Sequence, residues 1–117
     1  MAVFRSTDVE FQQRSPGIKV RQFINQEKGA GAVTLGEGII DPGSSLDLHT
    51  HKIEEAMIIA EGTATLICGN DTQIIEAGDA ILAPAAEAHL LANHSQKPMK
   101  FIFFFPAVNT QKDLING

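Results

Sequence analysis

Turn-forming residues recur about every eight to twelve positions along this chain and limit the apolar segments between them to the length of short strands. Clusters such as 41–45, DPGSS, and 69–71, GND, supply positive φ, fix φ or hydrogen-bond their own backbone, so they mark turns. No stretch longer than about two helical turns keeps the apolar period of a helix. The pattern therefore predicts an all-β fold, either a sandwich or a barrel.

The predicted strands are short and follow one another without an internal repeat or a linker. They cover Lys19–Ile24, Ala32–Ile40, Leu46–His51, Glu55–Ala60, Thr63–Cys68, Gln73–Glu76, Ala80–Ala83, Ala88–Asn93 and Lys100–Phe105. At 117 residues the chain has room for one domain. We expect an N-terminal arm or edge strand over residues 1–17, a β-barrel domain over 18–108 and a C-terminal tail over 109–117.

The charge balance and the length of the apolar runs exclude several classes of protein. Fourteen acidic against nine basic residues give a net charge of -5, and no basic stripe opposes it, so we expect no nucleic-acid partner. The apolar runs are far shorter than the roughly 20 residues that span a bilayer. Charged residues interrupt the N-terminal segment where a secretory signal would be continuously apolar, and we therefore expect a cytoplasmic protein with no membrane partner.

Two histidines and a glutamate form a candidate metal-binding set. His49 and His51 are two residues apart in a predicted strand, so both side chains leave the same face. If the alternation continues, Glu55 lies on that face and Glu54 points away. Two imidazoles and a carboxylate can hold a divalent ion such as iron with positions left open, and His89, at the start of another predicted strand, could add a fourth ligand. The alternative is that these histidines are ordinary surface or core polar groups.

The same residues fall into two motifs that resemble those of a known family. Residues 43–62, GSSLDLHTHKIEEAMIIAEG, match the first cupin motif, G-x5-H-x-H-x3-E-x6-G, at every specified position. Residues 78–93, GDAILAPAAEAHLLAN, match the second motif, G-x5-P-x-G-x2-H-x3-N, except that Ala86 replaces its second glycine. On these motifs the chain is identified as a small single-domain member of the cupin superfamily, with no subfamily assigned.

The resemblance implies both a fold and a ligand set. The implied fold is a single-domain cupin jelly-roll β-barrel, also described as a double-stranded β-helix. The implied metal ligands are His49, His51, Glu55 and His89, with Glu55 also the candidate catalytic residue. The expected cofactor is a divalent transition metal ion, Fe, Mn, Ni or Zn, and no organic cofactor is expected. If the Ala86 position needs positive φ, alanine costs about 1 kcal/mol there or the loop takes another path, and either outcome could shift His89.

Residues that share the face of the predicted ligands are expected to line a pocket beside the metal. Met57, Ile59 and Leu91 lie on that face and make the predicted lining mostly apolar, which is the usual form of a small-molecule site. Asp47 shares the face of His49. It is either a partner or proton acceptor at the site or part of a solvated strand end.

Two absences narrow the chemistry. The chain has no tyrosine, whereas sugar epimerases built on this fold use a tyrosine acid opposite a histidine base. The arginines Arg5, Arg14 and Arg21 all precede the core of the predicted barrel, so we expect no bidentate arginine clamp for a substrate with several carboxylates. A hydrophobic or weakly polar compound with a carbonyl or an enol suits the predicted lining better.

Two functions of different classes fit these residues. The first is a metal-dependent enzyme, either dioxygenase-like or an isomerase, cyclase or lyase, that acts on a small carbonyl-bearing or enolisable compound. The second is a non-catalytic cupin that binds or senses a small molecule. The intact ligand set and the apolar pocket favour the enzyme.

The last predicted strand is apolar on both of its faces. One face carries Phe101, Phe103 and Phe105, and the other carries Ile102 and Phe104. An antiparallel sheet normally keeps its outer face polar, so one of these faces needs a cover from outside the barrel. We predict a homodimer that provides this cover. The competing expectation is that the N-terminal arm folds back over its own barrel and leaves a monomer.

Overall fold

Eleven short strands make up almost all the regular structure of the described residues, 1–110 and the backbone of 112–114 in a computed structural model. They are β1 (Gln12–Ser15), β2 (Ile18–Ile24), β3 (Thr34–Ile40), β4 (His49–His51), β5 (Glu55–Glu61), β6 (Thr63–Cys68), β7 (Asp71–Glu76), β8 (Ala80–Ala83), β9 (Leu90–Ala92), β10 (Met99–Phe105) and β11 (Lys112–Leu114). The helical content of this part of the chain is one 3-10 turn at Ser6–Asp8. The predicted all-β class is confirmed.

The strands pair antiparallel in three sheets that together form the predicted jelly-roll barrel. The largest sheet has the order β1-β2-β3-β10-β5-β8, a second sheet has the order β7-β6-β9, and β11 pairs with β4. Strand β10, although late in the chain, lies between β3 and β5, so that Phe103 is opposite Gly36 on one side and Met57 on the other. Of the strands that carry candidate ligands, β5 therefore belongs to the large sheet and β4 to the pair with β11.

The alternation along β10 defines the inside of the barrel. Its inward residues belong to a core cluster that contains Ile18, Ile40, Met57, Ile59, Ala64, Ile75, Ile81, Leu91, Met99, Phe101, Phe103 and Phe105. Two glycines on β3 face this aromatic row, because Gly36 is opposite Phe103 and Gly38 is opposite Phe101. A Cβ at either glycine would overlap the ring opposite it, so the absence of a side chain lets both rings approach the β3 backbone.

The N-terminal arm folds back over the outer face of its own β2 and β3. The guanidinium of Arg21 donates hydrogen bonds to the carbonyl oxygens of Ser6 (2.9 Å) and Val9 (3.0 Å) in the arm and to the Glu37 carboxylate on β3 (2.7 Å). The ring of Phe11 also lies 4.2 Å from the guanidinium carbon, within cation–π distance. The arm therefore covers one side of the outer face, while the outward residues of β5, β8 and β10 stay exposed.

Only part of the predicted tail, 109–117, is within the described residues, since 111 and 115–117 lie outside them. Its backbone at Lys112–Leu114 forms β11, with Lys112 opposite His51 and Leu114 opposite His49. This pairing places a backbone strand along the edge of β4. In the described part of the chain, no helix is long and apolar enough to cross a bilayer.

Candidate metal centre

The four predicted ligands come from three neighbouring segments of the barrel. His49 and His51 are on β4, Glu55 begins β5, and His89 directly precedes β9. The backbones of His49 and His89 exchange two hydrogen bonds, of 3.2 and 3.0 Å, which fix the two segments to each other. All four side chains are buried. The structure therefore brings the four side chains together, and the bridge between His49 and His89 brings in the fourth residue.

The donor atoms of these residues are spaced as the ligands of one metal ion would be. One ligand atom from each residue lies within 4.8 Å of all the others. The Glu55 Oε1 atom is 3.3 Å from His89 Nε2 and 3.6 Å from His51 Nε2. Metal–nitrogen and metal–oxygen bonds of about 2.1 Å place adjacent ligands about 3 Å apart and opposite ligands about 4 Å apart. The cluster therefore needs little adjustment to hold an ion.

Backbone carbonyls orient two of the imidazoles for metal binding. His49 Nδ1 lies 2.6 Å from the Asp47 carbonyl oxygen, and His89 Nδ1 lies 3.0 Å from that of Glu87. A carbonyl oxygen can only accept, so each Nδ1 carries a proton and each Nε2 is the ring nitrogen available to the cluster. A metal bound there would replace the proton through which His89 Nε2 bonds Glu55.

The electrostatics of the cluster also fit a cation. Burial lowers the pKa of His89, but the hydrogen bond to Glu55, the hydrogen bond to the Glu87 carbonyl and the charges of both carboxylates outweigh burial and hold the pKa above its usual value. Among the described residues, the ion-pair partners of the buried Glu55 carboxylate are His51 and His89. A buried carboxylate is costly unless a cation compensates it, and a divalent ion held by the four residues would supply that charge.

A cavity of about 580 Å³ opens beside the cluster. It is lined by Arg14, Ser15, Ile18, Val20, Gln22, Leu46, Asp47, His49, His51, Glu55, Phe101, Phe103, Phe105 and Thr110. Its apolar part is the aromatic row of β10 with the inward residues of β2. Its polar groups outside the metal-binding cluster lie on β1, on β2, in the segment before β4 and at Thr110. The cavity therefore combines an apolar wall, a metal-binding cluster and a few polar groups, as small-molecule sites do.

The structure separates the predicted lining residues into two groups. Asp47 lines the cavity. Met57, Ile59 and Leu91 are buried in the core cluster instead and are not among the residues that line the cavity. Strand parity identifies which face a side chain is on but not how deep in the barrel it lies. On β5 the cavity ends at Glu55, so the inward residues beyond it pack into the core.

Arg14 lines the cavity although it precedes the barrel core in the sequence, so its place before the core, on which the expectation of no arginine clamp depended, does not keep it from the site. Strand β1 pairs with β2 at the edge of the large sheet, and this pairing carries residues 14 and 15 to the cavity. The alternation of Ile18, Val20 and Gln22 along β2 was the available signal for this wall. No local sequence pattern indicated that β1 would continue it.

Ala86, where the second motif has glycine, adopts a left-handed backbone conformation with φ of 65°. Its backbone N–H donates a 2.7 Å hydrogen bond to the His51 carbonyl oxygen, so the loop keeps the path that glycine would allow. His89 consequently remains in the cluster. Of the two outcomes expected from the sequence, the structure shows the strained alanine rather than a rerouted loop.

Replacing Ala86 with glycine is expected to raise the free energy of unfolding by about 1 kcal/mol, because glycine adopts positive φ without the clash of a Cβ. The measurement is urea denaturation. Ala85→Gly is the matched control, since Ala86 is the one non-glycine residue with positive φ in the described chain, and this variant should give no gain. Equal effects of the two substitutions would show that the backbone of Ala86 is not strained.

Comparisons with known proteins agree with this geometry. Residues 36–105 match the family model for the cupin domain. The sequence has no significant match among curated proteins. Among solved structures, the polyketide cyclase RemF from Streptomyces resistomycificus superposes with a TM-score of 0.87 at 24% identity, covering 100% of this chain and 87% of that one.

Two further solved structures have the same fold. KdgF from Halomonas sp. superposes with a TM-score of 0.80 at 16% identity, covering 93% of this chain and 96% of that one. The oxalate decarboxylase OxdC of Bacillus subtilis, in a mutant form, superposes with a TM-score of 0.79 at 21% identity, covering 91% of this chain but 30% of that one. At these identities the similarity concerns the fold, and the chain spans about a third of the oxalate decarboxylase.

Proposed function

Because this chain belongs to the cupin domain family, we propose that its buried cluster holds a divalent transition metal ion and that the protein is an enzyme acting on a small carbonyl-bearing or enolisable compound. The observation that carries the proposal is the 580 Å³ cavity beside four buried ligand groups. A site that only stabilised the fold would need no such cavity, because structural metal sites are fully coordinated by protein and closed.

The residues of the cluster would hold the ion through three neutral imidazoles and one carboxylate. Such a set leaves a divalent ion with a net local charge of +1 and, in octahedral geometry, about two positions for substrate or water. When bound, the ion would act as a Lewis acid toward the carbonyl oxygen of a substrate. These ligand types suit Fe, Mn, Ni and Zn alike. The oxalate decarboxylase of Bacillus subtilis, which has this fold, contains Mn(II) centres.

Asp47 is the candidate for proton transfer. Its carbonyl oxygen orients His49, and the residue lines the cavity. A carboxylate there can accept a proton from the carbon beside a substrate carbonyl and return it elsewhere on the product. The aromatic row of β10 keeps water away from the apolar part of the substrate. These roles fit isomerase, cyclase or lyase chemistry, which needs no second reactant, and RemF, a polyketide cyclase, has this fold over the full length of the chain.

A substrate panel on protein loaded separately with each of the four metals tests the proposal. The panel contains 1,3-diketones, flavonols and linear aromatic polyketones, with product formation and oxygen consumption recorded together. Product without oxygen consumption is expected. Oxygen consumption would make the protein dioxygenase-like instead. Binding without any product would favour the alternative function, a cupin that binds or senses a small molecule.

Asp47→Asn separates the base from the metal site. The contact of Asp47 with His49 is made by the backbone carbonyl, which this substitution preserves, so metal content should stay unchanged. Turnover should fall about a hundredfold or more, as general-base catalysis typically contributes that much. Unchanged turnover would remove Asp47 from the mechanism without affecting the proposed metal site.

We also propose that the protein is a homodimer, formed through the outer face of β5, β8 and β10. Ile58, Leu82, Ile102 and Phe104 stay 36–64% exposed there, outside the area covered by the N-terminal arm. Ile102 on β10 pairs with Ile58 on β5. Phe104 and Leu82 lie on either side of Ala56, which pairs with both of them, so the four side chains form one patch. Burying apolar surface stabilises an interface by about 25 cal/mol per Å², and a twofold axis lets one patch cover itself.

Light scattering at micromolar concentration tests this prediction. A dimer gives about twice the chain mass of 12.6 kDa, and Ile102→Lys should return the mass to that of the single chain. Ile74→Lys on β7 is the matched control, because Ile74 is an 81% exposed isoleucine on the other sheet. A wild-type mass of 12.6 kDa would instead support the arm as the only cover.

A further inference from the structure

Arg14 occupies an irregular position in the sheet beside the cavity. Gln13 is opposite Lys19 and Ser15 is opposite Ile18, which leaves Arg14 as the extra residue of a β-bulge in β1. Bulges at sheet edges redirect one side chain and occur often beside functional sites. Arg14 is exposed and lines the cavity, so it lies at the solvent side of the site.

The guanidinium of Arg14 has no hydrogen bond or ion pair with another described residue. Arg21 is the useful comparison, because Glu37 and two carbonyl oxygens of the arm engage its guanidinium. A planar guanidinium can bind a carboxylate through two parallel N–H···O bonds. Arg21 uses its donors for the fold, whereas no described residue engages the donors of the exposed Arg14.

The charges around the cavity favour an anion with one negative charge. A divalent ion in the cluster leaves one net positive charge after Glu55, and the charges of Asp47 and Arg14 cancel each other. Arg14 also borders a polar cavity under the arm, but there the carboxylates of Asp8, Glu10 and Glu27 balance the cations Arg14, Arg21 and Lys28, so that cavity has no net positive charge to attract an anion. The metal-site cavity is therefore the place where Arg14 would bind one.

The aromatic row separates Arg14 from the metal cluster. The ring of Phe105 packs against that of His51, with centroids 4.8 Å apart, and Phe103 and Phe101 follow at centroid spacings of 5.9 and 6.1 Å. Strand register places Arg14 near the Met99 end of β10. Its neighbour Ser15 pairs with Ile18 on β2, Ile18 pairs with Ile40 on β3, and Ile40 pairs with Met99. Phe101 and Phe105, the two ends of this row, are four residues apart along β10, so their Cα atoms are about 13 Å apart.

We infer, on the basis of the proposed function, that Arg14 binds the anionic group of the substrate. The substrate is then an elongated, flat, largely apolar monoanion. Its reacting carbonyl lies at the metal cluster beside His51. Its body lies along the aromatic row of Phe101, Phe103 and Phe105, and its carboxylate reaches Arg14. An anion whose two carboxylates are bonded directly to each other, such as oxalate, is too short to occupy both ends.

Calorimetric titration of the zinc-loaded protein with three matched probes tests this inference. The probes are 6-acetyl-2-naphthoate, its methyl ester and 2-acetylnaphthalene, which differ in the charged group but share the ketone and the flat body. The wild type should bind the carboxylate at least tenfold more tightly than the ester, which corresponds to about 1.4 kcal/mol for one charge-assisted pair. The measurement needs no turnover, so failure to find a reaction does not decide it.

Arg14→Gln should remove the preference for the carboxylate and leave the affinities for the two neutral probes within twofold. Arg14→Lys should keep part of the preference, because it retains the charge without the planar fork. Arg5→Gln is the control, since Arg5 is exposed in the arm and lies outside the cavity lining. The inference is overturned if the wild type binds the carboxylate no more tightly than the ester. It is also overturned if Arg14→Gln still prefers the carboxylate, which would show that the metal rather than Arg14 binds it.

Discussion

Replacing Glu55 with alanine is expected to lower the affinity of the protein for a divalent metal at least about tenfold, because even outer partners of metal ligands commonly contribute that much. Glu55 is the only carboxylate in the cluster, and its Oε1 atom lies within 3.6 Å of two imidazole Nε2 atoms. Without it the ion would lose a ligand and the negative charge that compensates it in a buried site. Competition titration with a chromogenic chelator gives the affinity, and elemental analysis gives the occupancy.

Glu54→Ala is the matched control, because it removes the same side chain one residue earlier. Glu54 is exposed, whereas Glu55 is buried in the cluster. Its substitution should leave metal affinity within about twofold, as surface changes away from a site usually do. If Glu54→Ala lost metal affinity and Glu55→Ala kept it, the ligand would be Glu54, and the turn between β4 and β5 would direct Glu54 rather than Glu55 into the cluster.

A thermal readout gives an independent check on the same pair. A ligand that binds only the folded protein raises its stability with concentration, so zinc should raise the melting temperature of the wild type and of Glu54→Ala. The increase should be much smaller for Glu55→Ala. In the metal-free state Glu55→Ala also removes the ion-pair partner of His51 and His89, so the melting temperature of each metal-free variant is the baseline from which the zinc-induced increase is measured. A loss of metal binding caused by unfolding would therefore be recognised at once.

The ligand cluster could be predicted from the sequence because strand parity and the cupin motifs indicate the same residues. Two residues of a strand two positions apart share a face whatever the rest of the fold does, so parity places His49 and His51 on one side of β4. The motif spacing identified Glu55 and His89 as their partners, and the structure shows these four side chains buried together. What the spacing could not show is the pair of backbone hydrogen bonds that joins the β4 and β9 segments.

The cavity wall could not be predicted in the same way, because it depends on which strands become neighbours. Met57 and Ile59 have the parity of a lining residue, yet the barrel buries them in the core below Glu55. Arg14 reaches the cavity through the bulged pairing of β1 with β2, and a bulge is a property of two strands rather than of one sequence segment. The partial burial of Arg21 under the arm likewise depends on contacts between distant segments.

Replacing Gly36 with alanine is expected to lower the free energy of unfolding by about 2–3 kcal/mol, at the upper end of the range for overpacking a core. A Cβ at Gly36 would overlap the ring of Phe103 and come within 2.5 Å of the Arg21 carbonyl oxygen. The ring of Phe103 packs between those of Phe101 and Phe105, and the Arg21 carbonyl belongs to the neighbouring strand, so neither moves aside without cost. Equilibrium denaturation measures the loss, and binding of a flat aromatic probe should weaken as well.

Two other glycines show whether the close approach at Gly36 causes this loss. Gly31→Ala meets no atom within 4 Å and needs no positive φ, so its stability should stay within about 0.5 kcal/mol of the wild type. Gly38→Ala would overlap the ring of Phe101 without approaching a backbone oxygen, so its loss should lie between the other two. The loss of stability should therefore decrease in the order Gly36, Gly38, Gly31, which is the order of how closely an added Cβ approaches its neighbours. Equal losses at Gly36 and Gly31 would mean that the row has room to move and that the cavity wall is not fixed by these glycines.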